Sequence, residues 1–251
     1  MNILFRDVWK AFGDNRVLAG LSLEIRPGEV MCIIGTSGVG KSVTIKLLIG
    51  LLRVDRGEIH WGDMRLDSLG EKEMIPLRKR IGMVFQNATL FDSLSLAENV
   101  ALPLRKHKRM RMREALVEAA ARLEQVGMGD FAHRYPAELS DGMRKRAAIA
   151  RTLTLDPEVV LFDEPTTGLD PVNARRIDRL VRQLSDDVGV TSIVVSHDLT
   201  SIFSIADRIA FLYQGRVHLC GTPAEFRSSP DPAVQQFIAG RSSGEMETPG
   251  F

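Results

Sequence analysis

The sequence predicts an α/β fold. A buried parallel sheet is flanked by helices, an antiparallel β portion leads the chain, and a helical segment is inserted in the middle. Three observations predict it. Apolar, β-branched runs recur at "VMCIIG" (30–35), "VVLFDE" (159–164) and "TSIVVSH" (191–197), each followed by loop residues and then a helical pattern. The early segments "NILFRDVWKAFG" and "RVLAGLSLEIRPGE" alternate instead, as half-buried antiparallel strands do. Between about Gln86 and Leu155 strong helix formers take over, in "MREALVEAAARLEQVG" and "MRKRAAIARTLTL".

Taken in order, the elements suggest a division. Residues 1–85 and 156–226 form the core, with "RGEIHWGDMRLDS" as a further hairpin. Residues 86–155 form the helical insertion, and 227–251 a Ser-, Gly- and Pro-rich extension around the apolar patch "VQQFIAG", expected to end in a flexible segment. At 251 residues the chain can bury a sizeable core. Lys and Arg number 33 against 32 Asp and Glu, which leaves no basic field for nucleic acid. The two cysteines, Cys32 and Cys220, have no metal-ligand spacing and suit a reducing compartment, Cys32 as a small buried hydrophobe. No run approaches the roughly 20 apolar residues that span a bilayer, and the amino terminus reads as a strand rather than a signal peptide. The expectation is a chain that neither crosses a membrane nor is exported.

The chemistry begins at "GTSGVGKS", where Gly35, Thr36, Ser37, Gly38, Val39, Gly40, Lys41 and Ser42 fit G-x-x-x-x-G-K-[ST] at every fixed position. The motif follows a predicted strand and opens the helical pattern "VTIKLLIGLL". Glycines let the backbone curl around a phosphate, and the helix amino terminus adds positive dipole. Lys41 then reaches β/γ-phosphates, and Ser42 offers a hydroxyl to Mg²⁺. In "VVLFDE" a buried strand delivers Asp163 to the same cation and Glu164 to a water. A lone Asp-Glu after a strand is commonly a solvated loop; paired with a phosphate loop it reads as a P-loop nucleotide hydrolase or nucleotide switch.

Between these motifs lies "LSDGMRKR" (139–146), and after them "TTGLDP" and "VVSHD". That ordered set, with "LSDGM" in the place of the family's signature motif, resembles the ATPase subunits of ABC transporters over nearly the whole chain. The resemblance implies ATP and Mg²⁺ as ligands, with Phe12 stacked on adenine and Val17 beside the nucleotide. It implies Gln86, in "VFQN", as a loop glutamine that touches Mg²⁺ and senses a membrane partner. Asp170 would cross to a second subunit, and His197 would steady the γ-phosphate while Glu164 acts as base. Two copies would face head to tail, so that Ser140, Asp141 and Gly142 of one approach the nucleotide of the other.

The stretch "LFDSLSLAENVALPL" (90–104) is apolar, interrupted and directly downstream of Gln86. It packs internally in part, and Phe91, Leu94 and Leu96 suit a docking surface for a separate transmembrane permease. Together with the methionine of "LSDGM" and the tail, the wording is similar to the ATPases of MCE-type phospholipid transporters, the Mla system of bacterial envelopes. That resemblance implies an inner-membrane cytoplasmic location, an MCE lipid-binding protein and a small cytoplasmic regulator as partners. Rival readings are an importer ATPase for a polar solute such as an amino acid, a non-transport ABC protein, and a nucleotide switch without turnover. The basic run "RKHKRMRMR" (105–113) reads as the solvated start of the following helix with methionines beneath, rather than as a lipid-headgroup site.

Two positions depart from the family pattern: Met143 stands where glutamine is frequent, and Asp141 is the departure that matters. Asp141 stands where glycine is usual, a carboxylate near a polyphosphate, with Arg144, Lys145 and Arg146 close enough in sequence to offset it. Asp141 is expected to point away from the phosphate and to slow the cycle. Replacing it, Asp141→Gly, should raise the steady-state ATPase rate of the assembled transporter; an unchanged rate would show that Asp141 does not limit turnover.

Overall fold

The computed structural model describes residues 1–240. The chain runs β1 (Ile3–Phe12), β2 (Asn15–Ile25), β3 (Val30–Ile34), α1 (Lys41–Leu48), β4 (Arg56–Trp61), β5 (Met64–Arg65), α2 (Glu71–Arg80) and β6 (Ile81–Val84). It continues through α3 (Leu96–His107), α4 (Met112–Gln125), α5 (Asp141–Leu153), β7 (Val159–Asp163), α6 (Pro171–Val188) and β8 (Thr191–Val195). The last elements are α7 (Leu199–Ile205), β9 (Arg208–Tyr213), β10 (Arg216–Gly221), α8 (Pro223–Ser228) and α9 (Pro232–Ile238).

The amino-terminal strands form an antiparallel sheet of order β2-β1-β4-β5. Alternation buries Ile3 and Phe5 on β1, and strict continuation would bury Asp7. An irregularity between Phe5 and Val8, with Asp7 at φ 47°, resets the register and turns Val8 inward instead. The bulge presses on β4: a Cβ at Gly57 would lie 2.2 Å from the Asp7 carbonyl oxygen, so only glycine fits there.

The second sheet has the order β10-β9-β3-β8-β7-β6. Its pairings are parallel from β9 to β6, and β10 is the antiparallel edge. All residues of β3, β7 and β8 are buried, as their unbroken apolar runs require. Alternation divides them between two cores. Met31, Ile33, Leu161 and Ile193 face a cluster with α1 and the antiparallel sheet, whereas Cys32, Ile34, Phe162 and Val194 face the helices. Burial pushes the Cys32 thiol pKa upward, consistent with a packing role. The sequence pattern misses β6 and β9 as members of this sheet; β6 carries only "IGMV", and its Gly82 yields to the Thr152 side chain of α5.

Residues 90–95 are irregular, and α3 starts only where Ser95 and Glu98 close a reciprocal cap. Helices α3, α4 and α5 pack on one another, and α5 shares its buried Ala147, Ile149 and Ala150 with the core under the sheet. The basic run does not begin a helix as expected. Arg105 to His107 close α3, where cations favour its carboxyl end, Arg109 makes the turn at φ 56°, and Met112 at the start of α4 is exposed. Helix α1 stops at Leu48, short of "GLL". Near the carboxyl end, α8 spans residue 227 with Phe226 fully buried, and α9 seats Phe237 5.0 Å from the Phe211 ring. The expected flexible end lies outside the described residues.

Phe162 is 0% exposed at the centre of this arrangement. Phe162→Ala should cost about 3–5 kcal/mol of unfolding free energy in urea titrations, the magnitude of a large buried cavity.

Candidate functional site

Sheet register assembles the site. Strand β8 lies between β3 and β7, and Ile33, Val195 and Asp163 stand level across the ladder. Whatever follows those three residues therefore emerges at one edge: the glycine loop after β3, His197 after β8 and Glu164 after β7. Chain continuity plus parallel pairing makes this the carboxyl edge, where doubly wound sheets bind ligands.

The glycine loop turns tightly into α1. Gly35 (φ 150°) leaves no room for a side chain, since a Cβ would sit 2.5 Å from the Leu212 carbonyl oxygen. Gly40 (φ 107°) caps α1 in the left-handed region, and its Cβ would meet Leu18 at 2.6 Å and Val17 at 3.0 Å. Val17 is thus against the loop. Phe12 stands on the β1–β2 turn, 47% exposed, with the Lys10 ammonium 5.4 Å from its ring. Thr36 and Ser37 form the turn with Gly38 (φ 78°), and Val39 is buried. Lys41 is buried, and its ammonium donates to the carbonyl oxygens of Gly35 and Thr36, both at 2.9 Å. Burial lowers its pKa against the opposing pull of Glu164 and Asp163.

Ser42 donates to the Asp163 carboxylate at 2.7 Å, joining the first turn of α1 to the end of β7. The next residue, Glu164, sits at φ 50°, a sparsely populated conformation for a non-glycine residue, with its amide held by the Val195 carbonyl at 2.9 Å. Its carboxylate meets His197 Nδ1 at 2.9 Å and accepts from the Thr167 hydroxyl at 3.0 Å. Glu164 is mostly shielded while His197 is exposed, so the histidine ring reaches outward from a protected carboxylate.

The signature segment lies across a cleft of about 530 Å³ lined by Gln86, Asn87, Asp141, Lys145 and Thr167. Ser140 caps α5, accepting from the Met143 amide. Gly142 is buried against Asn173 of α6, where a Cβ would come within 2.9 Å of the amide carbon. Asp170 caps α6 through the amides of Val172 and Asn173, which holds its carboxyl below the usual range. Asp141 is the first residue of α5, and its exposed carboxylate pairs with Arg144. Lys145 is near enough to feel Asp141, but Arg146 is not a partner: it donates to the Val126 and Gly127 carbonyls. The sequence gives no sign of Thr167 as a hydrogen-bond donor to Glu164, or of Lys145 as the donor to the Thr167 carbonyl at 2.6 Å. A larger cavity of about 640 Å³ opens at the opposite edge of the sheet, near Val159 and Thr191, away from all of these groups.

Residues 18–167 match the model of the ABC transporter family. The chain belongs to the ABC transporter ATPase family. It accordingly binds nucleotide and hydrolyses ATP. This ABC ATPase is 41% identical to the protein TRIGALACTOSYLDIACYLGLYCEROL 3, chloroplastic, of Arabidopsis thaliana, over 96% of this chain and 74% of the relative. It is 37% identical to a probable ribonucleotide transport ATP-binding protein mkl of Mycobacterium leprae, over 94% and 68%. It is 38% identical to the intermembrane phospholipid transport system ATP-binding protein MlaF of Haemophilus influenzae, over 93% and 89%. Among solved structures, a dimeric ATP-binding cassette in a post-hydrolysis state, bound to ADP and Pi, superposes with a TM-score of 0.80. It is 31% identical, and the match covers 88% of this chain and 98% of that one.

The buried Lys41 ammonium hydrogen-bonds only to carbonyl oxygens, and the desolvation cost outweighs the pull of Glu164 and Asp163, so removing it should relieve a net penalty. Lys41→Met should keep or raise the melting temperature without nucleotide and abolish the rise that ATP produces; thermal shift with and without ATP reads both.

Proposed function

We propose that this ABC ATPase is the motor subunit of a phospholipid transporter of the MCE type, working as a homodimer on a separate transmembrane permease. The observation that carries the motor reading is the single edge on which Lys41, Ser42, Asp163, Glu164 and His197 converge. The cargo reading is supported by the phospholipid name of the MlaF relative and by the wording around Gln86. The dimeric cassette supports the homodimer. Among the described residues no helix is long and apolar enough to cross a membrane, which fits a peripheral subunit on the cytoplasmic face. The probable ribonucleotide transport name of the mkl relative favours a polar cargo as the second reading.

In the proposed cycle the loop amides and Lys41 hold the phosphates at the amino terminus of α1, with Phe12 and Val17 at the base. A hydroxyl, a carboxylate and an amide carbonyl suit a hard divalent cation, so Ser42, Asp163 and Gln86 are the residues that would hold Mg²⁺. When bound, the ion neutralises phosphate charge. Glu164 orients and deprotonates water, and Thr167 and His197 both hold its Oε2 oxygen, which fixes the rotamer of its carboxylate. Ser140 and the Gly142 amide complete the partner's site, and Asp170 lies beside them on α6. Asp141 turns toward Arg144, which keeps its charge off that surface.

The permease contact falls on the exposed Phe91, with Leu94 half-buried beside it; Leu96, expected on the same surface, is fully buried in the helical core and takes no part. An MCE protein and a small cytoplasmic regulator complete the assembly.

The test is to purify the membrane complex through a tag on this subunit and identify what co-elutes by mass spectrometry. A permease, an MCE protein and enriched phospholipid are expected. A permease without MCE protein or lipid enrichment would overturn the cargo and leave the motor standing.

A further inference from the structure

Directly after Gln86, the two non-glycine residues Ala88 and Thr89 take left-handed backbone at φ 49° and 48°. For a β-branched residue such as Thr89 this is a genuine outlier, and two in succession must be held in place by their surroundings. The holder is Arg151, in the last turn of α5. Its guanidinium donates to the Thr89 carbonyl at 2.9 Å, the Thr89 hydroxyl at 3.1 Å and the Ala88 carbonyl at 3.4 Å. Burial pulls the Arg151 pKa down, and among the described residues no carboxylate pairs with it. A shielded cation spending its planar fork on three backbone and hydroxyl oxygens is a specific arrangement, one that lysine would not reproduce.

The neighbouring contacts show what the clamp joins. Beyond the strained pair, the fully buried Asn99 pins the chain, accepting from the Phe91 amide and donating to the Phe91, Leu94 and Ser95 carbonyls. Before it, Thr152 of α5 donates to the Met83 carbonyl of β6 at 3.4 Å. Residues 86–90 are therefore a short bridge between two fixed points, and Arg151 is its tie to α5. At its other end, α5 carries Ser140 and the buried Gly142. One 13-residue helix thus links the signature turn to the loop that leads into Phe91.

We infer that Arg151 is a positioning residue that latches the strained glutamine loop to the signature helix, so that nucleotide engaged at the start of α5 changes the conformation of the permease-facing loop. The inference rests on the reading that the amino terminus of α5 meets the nucleotide of a second copy. Strain supplies the second state: releasing the latch lets Ala88 and Thr89 relax, so both sites bias one two-state element.

The experiment is hydrogen–deuterium exchange on the full-length subunit carrying Glu164→Gln, which holds ATP without turnover, alone and combined with Arg151→Met or Thr89→Gly. In the Glu164→Gln protein, ATP should change exchange of the 86–92 segment by about fivefold or more, the lower range of an allosteric coupling. Arg151→Met breaks the latch, and Thr89→Gly removes the strain while leaving Arg151 in place. Both should bind ATP as Glu164→Gln does, with the nucleotide-driven change at 86–92 lost. An ATP response retained in either double variant, or missing from Glu164→Gln itself, would overturn the latch. So would a lowered melting temperature with the response intact, which would mark Arg151 as purely structural. Should Arg151→Met not fold, Thr89→Gly decides alone. Failure of the two-copy reading is seen separately, as absence of an ATP-dependent dimer of the Glu164→Gln protein in size-exclusion chromatography.

Discussion

The parallel ladder that places β8 between β3 and β7 is the constraint on which the rest of the molecule depends. It sets Ile33, Val195 and Asp163 level. Because each strand is buried on both faces, a slip by one residue would exchange its two core faces, and the apolar contacts of Phe162 and Leu161 would be lost together. The register is therefore held by packing as well as by hydrogen bonds. The geometry of the candidate site is a by-product of that rigidity: Glu164 is anchored by its own amide to the Val195 carbonyl, one residue beyond the end of the ladder.

Around this edge the protein keeps groups that a stability argument alone would remove. Lys41 is buried with carbonyl partners, Glu164 holds a left-handed backbone, and Ala88 and Thr89 hold two more. Each is over-determined by neighbours that are themselves relaxed: the α1 and α5 helices, the capped start of α6, and the Asn99 network. Left-handed non-glycine backbone also occurs at Asp7, Arg109, Asp156 and Gln214, but Glu164, Ala88 and Thr89 stand beside the phosphate loop and the glutamine loop, where pre-organisation for binding and coupling is useful.

Much of this was legible in the sequence. The three apolar runs became β3, β7 and β8, and the glycine loop followed its strand and opened its helix as the motif requires. Less legible were β6 and β9. The run "IGMV" is too short and too poor in pattern to announce a strand; parallel pairing with β7, the Arg80 to Glu158 ion pair and the Thr152 hydroxyl on the Met83 carbonyl hold it in the sheet. The basic run misled because its charges straddle a turn: three close α3 and the rest lead into α4. Arg146 misled because sequence proximity to Asp141 says nothing of direction along a helix, and its fork turns to the Val126 and Gly127 carbonyls.

By itself the sequence determined the class of the fold and the chemistry of the phosphate loop, since these depend on local order: an apolar strand, glycines free to adopt unusual backbone, and a lysine and serine at the start of a helix. Only the tertiary structure decided which distant groups meet. The Thr167 hydroxyl on Glu164, Gly142 against Asn173, and Arg151 on the Ala88 and Thr89 carbonyls join residues through packed elements. The first of these pairs is close in the chain, yet its contact depends on the turn that Glu164 makes, and that turn is fixed by Val195 on another strand. Local pattern carries no record of such contacts, because hydrogen-bond geometry is set by where the sheet and helices finally pack.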